Sequence, residues 1–256
     1  SFVQDKTGSR ILPDGRKAAD LTGRILKGPE YFTIFDGQTG AALATKPYLP
    51  PRLPADAADD EDAMKAVWGD GYGNRSERYL GAIAYLDGHR PSVIMARGYY
   101  GRSVLAAWDF RDGKLTERWV FDSAALAEEG YNGQGNHQLA VADIDGDLRD
   151  EIVYGAMAVD DDGTPLWTSR LGHGDALHLT DIDPARPGLE RWGVHEDVKG
   201  NGGVGGALLD AATGEVIWKT AATTDTGRGV AADIDPRFAG LELWGSNDGN
   251  LYSASG

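Results

Sequence analysis

Short alternating runs of apolar and polar residues set the rhythm of this chain. Leu139 and Val141 alternate with polar or small neighbours, and so do Leu177 and Leu179. A period of two marks a half-buried β-strand. Each run leads into a turn dense in Asp, Gly and Pro, and then into a second apolar run such as Glu151–Tyr154. An Asp-Asp-Gly or Ala-Thr-Gly turn follows, and then a short strand carrying Trp119, Trp167 or Trp218. No long window sustains a helical period. Residues 49–66, rich in Pro, Ala and acid, read as a long exposed loop.

This order repeats. One copy runs from His137 to Gly155, a second from Asp175 to Gly193 and a third from Gly229 to Gly245. A degenerate fourth runs from Ala82 through Asp87-Gly88 to Gly98. About four short strands per unit of roughly 40 to 50 residues is the arrangement of a β-propeller blade. The predicted fold is therefore all-β, a propeller of which this chain supplies about five units. That number reads as part of a longer protein; a complete small propeller is the alternative.

Charge narrows the function classes. The 256 residues hold 40 acidic against 25 basic side chains, a net charge of −15. A nucleic-acid binder needs a basic footprint, which is missing. No stretch approaches the ~20 apolar residues of a membrane span. Ser1-Phe2-Val3-Gln4-Asp5 lacks the basic and then apolar run of a secretory signal, and the missing initiator Met reads as a mature or truncated chain. There is no Cys, which removes disulfides, thiol catalysis and zinc–thiolate sites without indicating a compartment.

The turns inside the repeats carry the first candidate chemistry. Asp143, Asp145, Asp147 and Glu151 stand at loop positions 1, 3, 5 and 9, with Gly146 allowing the bend. Calcium takes six to eight oxygens, and a short turn dense in carboxylates supplies them. The second copy offers Asp181, Asp183 and Glu190, and the third Asp233, Asp235 and Glu242; both replace the third Asp with a Pro-containing segment. Asp and Pro are also ordinary turn residues. On either reading the role is structural.

A second candidate site follows from the repeat itself. Six residues before the first Asp of each copy stand His137, Asp175 and Gly227, the last beside Arg228. If these strand starts are the innermost ones, they converge, bringing His137, His173, Asp175 and Arg228 together. His195-Glu196-Asp197 closes the second strand of the middle copy nearby. Imidazoles point to a transition metal and carboxylates to calcium. Arg228, between two glycines, suits a bidentate carboxylate clamp or a plain salt bridge. His178, inside a strand, and His89, in a turn, read as structural. Tyr99, Tyr100 and Tyr131 are candidates for stacking on sugar rings. The Gly-rich stretch 69–74 lacks the Gly-Lys-Ser/Thr of a phosphate loop, and there is no G-x-S-x-G elbow.

Several longer strings carry a resemblance. Gly28–Gly40, Trp68-Gly69-Asp70, Met95–Tyr100, Gly133–His137, Gly172–Ala176, Val194–Asp197 and Gly227–Pro236 are similar to bacterial rhamnogalacturonan lyases of the eleventh polysaccharide lyase family. The resemblance covers nearly everything after Gly28, and residues 1–27 match weakly. It implies a calcium-loaded, eight-bladed propeller domain over 28–256, lacking the family's small N-terminal β domain and last blades. It implies cleavage of the rhamnose–galacturonate bond of pectin by β-elimination, outside the cell and by a monomer. It places a central calcium on His137, His173, Asp175 and Glu196, and substrate on Arg228. The general base stays open; His137 or His173 qualifies only if free of metal. The competing class is a non-catalytic, calcium-stabilised propeller that binds acidic polysaccharide, which needs no inward histidine set.

Overall fold

A computed structural model describes residues 28–256; the segment 1–27, set apart in the sequence, lies outside the described residues. The described chain is built from antiparallel sheets. A hairpin comes first, β1 (Tyr31–Phe35) and β2 (Ala42–Pro47). The first four-stranded sheet is β3 (Tyr79–Ala84), β4 (Ser92–Arg97), β5 (Val104–Arg111) and β6 (Lys114–Asp122). The second is β7 (Ala140–Ala142), β8 (Glu151–Val153), β9 (Met157–Val159) and β10 (Pro165–Thr168). The third is β11 (Leu177–Thr180), β12 (Glu190–Val194), β13 (Val204–Asp210) and β14 (Val216–Ala221). A final pair, β15 (Gly229–Ala232) and β16 (Glu242–Gly245), follows. Strands lie in chain order within every sheet. The five units of the sequence are thus three complete sheets and two pairs, and among the described residues no sheet closes on another.

Successive sheets meet through their first strands, β3 with β7, β7 with β11 and β11 with β15. Three apolar layers fill the gaps between them. Ile94, Leu105, Ile152 and Met157 pack between the first and second sheets. Val153, Ala158, Leu177 and Leu209 pack between the second and third. Trp192, Leu208 and Leu243 pack between the third and the last pair. The residue inside each Asp-x-Asp turn plugs the next gap: Ile144 and Ile182 are buried, while Ile234, with no further described sheet against it, is exposed. A tryptophan staples each sheet to its successor. Trp119, Trp167 and Trp218 donate Nε1–H to the carbonyls of Asp161, Ala211 and Ala254 at 2.8, 2.8 and 2.9 Å.

The expected loop at 49–66 needs correction. Arg52, Leu53 and Met64 are buried, and helix α1 (Glu61–Trp68) begins inside this stretch. Asp60 caps it by accepting the Ala63 N–H at 2.9 Å, and Gly69 ends it in the left-handed region. Met64 and Trp68, one turn apart, bury against Leu53 and Val104. Arg97 anchors the same region: its guanidinium carbon lies 4.8 Å from the centroids of both the Tyr48 and Tyr79 rings, and it pairs with Glu30.

Candidate metal centre

The strand starts converge as the repeat predicts. Asn136 and Gly174 form a parallel bridge between the second and third sheets, so His137 and Asp175 follow at neighbouring starts. Ligand atoms of His137, His173 and Asp175 lie within 4.8 Å of one another. His137 Nδ1 is 3.1 Å from Asp175 Oδ1, and His173 Nε2 is 3.4 Å from the same oxygen. Glu196 adjoins them, its Oε2 3.5 Å from His173 Nε2, placed by a Glu196 N–H bond to the His173 carbonyl at 3.0 Å.

The hydrogen bonding of His173 fixes what it offers. Its Nδ1 is 2.7 Å from the Gly135 carbonyl, which can only accept, so Nδ1 carries the proton and Nε2 presents a lone pair. His173 Nε2, His137 Nε2 and Asp175 Oδ1 are all buried without a hydrogen-bond partner. Buried polar atoms are ordinarily satisfied. Two imidazole nitrogens and a carboxylate oxygen left unsatisfied around one point fit a cation. Burial also holds the His137 imidazole down to about 4 and lowers His173, which keeps both rings neutral as metal ligation requires. Tyr100 walls the cluster, its ring 4.1 Å from that of His173 and its hydroxyl bonded to Glu196. Tyr99 and Tyr131, the other stacking candidates, are buried in packing.

Arg228 reaches the cluster through an ion pair with Asp175, yet its side chain stays 70% exposed. It is therefore oriented by the site and still open to a ligand. His195 is fully buried and plays another part. Its Nε2 is 3.4 Å from Arg191 Nη1, a group that only donates, so its Nδ1–H points to the Gly172 carbonyl at 3.1 Å. That bond steadies the strap ahead of His173. His178 sits 3.3 Å from the Gly229 carbonyl and remains structural.

The Asp turns lie at the other ends of the same strands. In all three copies the buried Glu caps the turn through one oxygen. Glu151 Oε2 accepts the Ile144 N–H at 2.7 Å. Glu190 Oε2 accepts Ile182 and Asp183 at 2.9 and 3.0 Å, and Glu242 Oε2 accepts Ile234 and Asp235 at 2.9 Å each. Only in the first copy do the carboxylates cluster among the described residues: Asp143, Asp145 and Glu151 lie within 4.8 Å. Glu151 Oε1 is buried and unpaired, and burial with the three Asp charges raises its carboxyl to about 8. Asp147 does not join; its Oδ1 accepts the Arg149 N–H at 2.9 Å. Asp160 and Asp161 do, forming a second group with Glu151. The Asp-Asp-Gly run at 161–163 reads in the sequence only as a turn. It is the pairing of β8 with β9 that carries it back to Glu151.

The second and third turns differ from expectation. Asp181, Asp183 and Glu190 form no cluster, nor do Asp233, Asp235 and Glu242. An arginine stands in each. Arg186 lies 3.8 Å from Glu190 and 3.6 Å from Asp210, and Arg237 clamps Asp235. A guanidinium close to the carboxylates already supplies positive charge there.

Comparison with known proteins places the chain. The model of rhamnogalacturonan lyase family 11, C-terminal domain, matches residues 3–256. The chain is 57% identical over 234 residues to the rhamnogalacturonan exolyase YesX of Bacillus subtilis, covering 90% of this chain and 36% of that protein. It is 50% identical over 254 residues to the rhamnogalacturonan endolyase YesW of the same organism, covering 99% and 39%. The crystal structure of YesW superposes with a TM-score of 0.85 at 49% identity, over 99% of this chain and 41% of that one. The chain thus spans less than half the length of these relatives. A family match over nearly the whole chain, joined to this likeness in fold, makes it a member of rhamnogalacturonan lyase family 11.

Proposed function

We propose that the protein carrying this chain is a calcium-dependent lyase that cuts the rhamnose–galacturonate bond of pectin by β-elimination. The observation that carries this reading is the set of unsatisfied lone pairs on His137, His173 and Asp175 beside an exposed Arg228. Calcium held by these residues and Glu196 would neutralise a uronate carboxylate and so acidify its C5 proton. Arg228, anchored by Asp175, presents a guanidinium to the same carboxylate and stabilises the enolate-like charge that develops when C5 loses its proton. His173 cannot lend its Nδ1, which the Gly135 carbonyl occupies. Tyr100 holds Glu196 in place through its hydroxyl.

The same reading extends the sheets into an eight-bladed propeller. The adjacency of β3, β7, β11 and β15 supports this, as does the fold likeness to a structure more than twice as long. It takes the protein to be a monomer acting outside the cell, where pectin lies, and takes the Asp143 turn as a structural calcium site. The full-length protein, given rhamnogalacturonan and calcium, should release unsaturated uronide, read by ultraviolet absorbance. Product formation undiminished after verified metal removal, or by His173→Ala, overturns the proposal. Saccharide binding without product would leave the non-catalytic reading in its place.

A further inference from the structure

Beyond the metal cluster the same end of the sheets opens into a cleft of ≈ 580 Å³. His173, Tyr100 and Glu196 line part of it, so it is continuous with the site above. The rest of the lining comes from loops 132–134, 170–172 and 197–201. These walls are fixed from within. Gln134 Oε1 accepts the Gly172 N–H at 3.0 Å and its Nε2 donates to the Asn132 carbonyl at 3.1 Å. Asn201 Nδ2 donates to the carbonyls of Leu171 and Val204 at 3.1 and 3.0 Å.

Arg170 is the one Lys or Arg among the lining residues, which also include the carboxylates Glu196, bonded to Tyr100, and Asp197, bonded to the Gly200 N–H. The Arg170 backbone takes φ +58, one of three positive values at non-glycine residues among those described. Such conformations are strained for an L-residue and concentrate at functional sites. Its guanidinium lies over Gly130: a Cβ there would stand 2.7 Å from Nε and 3.2 Å from Cζ. Nη2 donates to the Glu129 carbonyl at 2.9 Å, which aims the group. Among the described residues no carboxylate pairs with it, although the chain has 15 more acidic than basic residues and Arg75, Arg102, Arg149 and Arg228 all have acidic partners. A positioned, solvent-open guanidinium without a counter-charge, in a cleft continuous with a candidate uronate site, has its own anion to meet.

We propose that Arg170 recognises a second uronate carboxylate, one repeat along an acidic polysaccharide from the sugar held at the metal cluster. The cleft is then a binding subsite whose specificity is for a charged sugar at that position. This inference rests on the lyase reading for the identity of the first sugar. The flat fork of Arg170 suits a carboxylate bidentately, and the fixed amide walls exclude reorganisation as a cost of binding.

The test uses the full-length protein with calcium and two rhamnogalacturonan oligosaccharides, one long enough to cross the cleft and one that ends at the cut repeat. A hydrogen bond to a charged group is worth about 1.5–3 kcal/mol, so Arg170→Gln should raise KM for the long substrate by about tenfold or more. It should lower kcat less than threefold and leave KM for the short substrate within twofold. Gly130→Ala, which places a methyl against Nε, should give the same pattern and serves if Arg170→Gln does not fold. A KM for the long substrate unchanged within twofold, or an equal rise on both substrates, overturns the proposal. If the unaltered protein yields no unsaturated product, the lyase reading falls on its own. Calorimetry with the long oligosaccharide then decides for Arg170: a Kd at least tenfold weaker in Arg170→Gln upholds the subsite, and equal Kd values refute it.

Discussion

Gly214 makes the tryptophan staple between the second and third sheets measurable. It lies in the turn between β13 and β14 at φ +71, and a Cβ added there would stand 2.5 Å from Trp167 Cδ2 and 2.6 Å from its Cε3. Two penalties follow for Gly214→Ala. The left-handed backbone costs an L-residue about 1–2 kcal/mol. The methyl overlaps a ring, and overpacking of this kind costs about 1–3 kcal/mol. The Trp167 ring has little freedom to yield, because its Nε1–H is committed to the Ala211 carbonyl at 2.8 Å. The expected loss is about 3–4 kcal/mol. At ≈ 2–4 °C per kcal/mol for a domain of this size, the melting temperature should fall by about 10 °C. Gly188→Ala isolates the backbone term, since Gly188 sits at φ +92 with nothing within 4 Å of its would-be Cβ; its drop should be about a third as large. Trp167→Leu should recover part of the Gly214→Ala loss, giving a coupling of at least ~1 kcal/mol in a double-mutant cycle. Scanning calorimetry measures the unaltered protein and all four variants, the double variant included. Equal drops for the two glycine variants, or zero coupling to Trp167, would refute the staple as a source of sheet-to-sheet stability.

Three further outcomes are expected. Chelation with EGTA should lower the melting temperature and added calcium restore it, because a ligand that binds only the folded state stabilises it by mass action; an unmoved melting curve after verified metal removal counts against the turn at Asp143 as a calcium site. Crystals soaked at graded calcium should fill that turn before those of Asp181 and Asp233, where Arg186 and Arg237 already sit on the carboxylates; filling in the reverse order is the contrary result. Glu190→Ala should leave the buried Ile182 N–H and the half-buried Asp183 N–H without their acceptor and cost about 2–3 kcal/mol, with kcat per folded molecule unchanged; denaturant titration and initial rates together check both halves.

Much of this was legible from spacing. The first strands of the repeats are adjacent, and counting back six residues found His137 and Asp175 in contact. What escaped the sequence arose between elements. Asp160 and Asp161 come to Glu151 by antiparallel pairing of β8 and β9, a relation that no single turn motif contains. Asp147 looked equivalent to Asp143 in the loop but faces Arg149. The arginines at 186 and 237 are ordinary turn residues in the sequence until their reach to a carboxylate is known. Helix α1 hid because its eight residues follow Pro- and acid-rich chain, although Asp60, Gly69 and the Met64–Trp68 pair were its signals.

The two ends of the sheets have separate duties. His137, His173, Arg170 and Glu196 sit on linkers at one end, while the buried glutamates and their turns sit at the other, joined by strands as short as three residues. Linkers at the first end can lengthen, shorten or change sequence without touching the carboxylates that hold each turn. Selection can therefore reshape the cleft, altering which saccharides fit, without eroding the melting temperature. In a laboratory library, diversity confined to Val198 and Lys199, which spares the bracing side chains of Gln134 and Asn201, should yield folded variants far more often than diversity placed at 143–151.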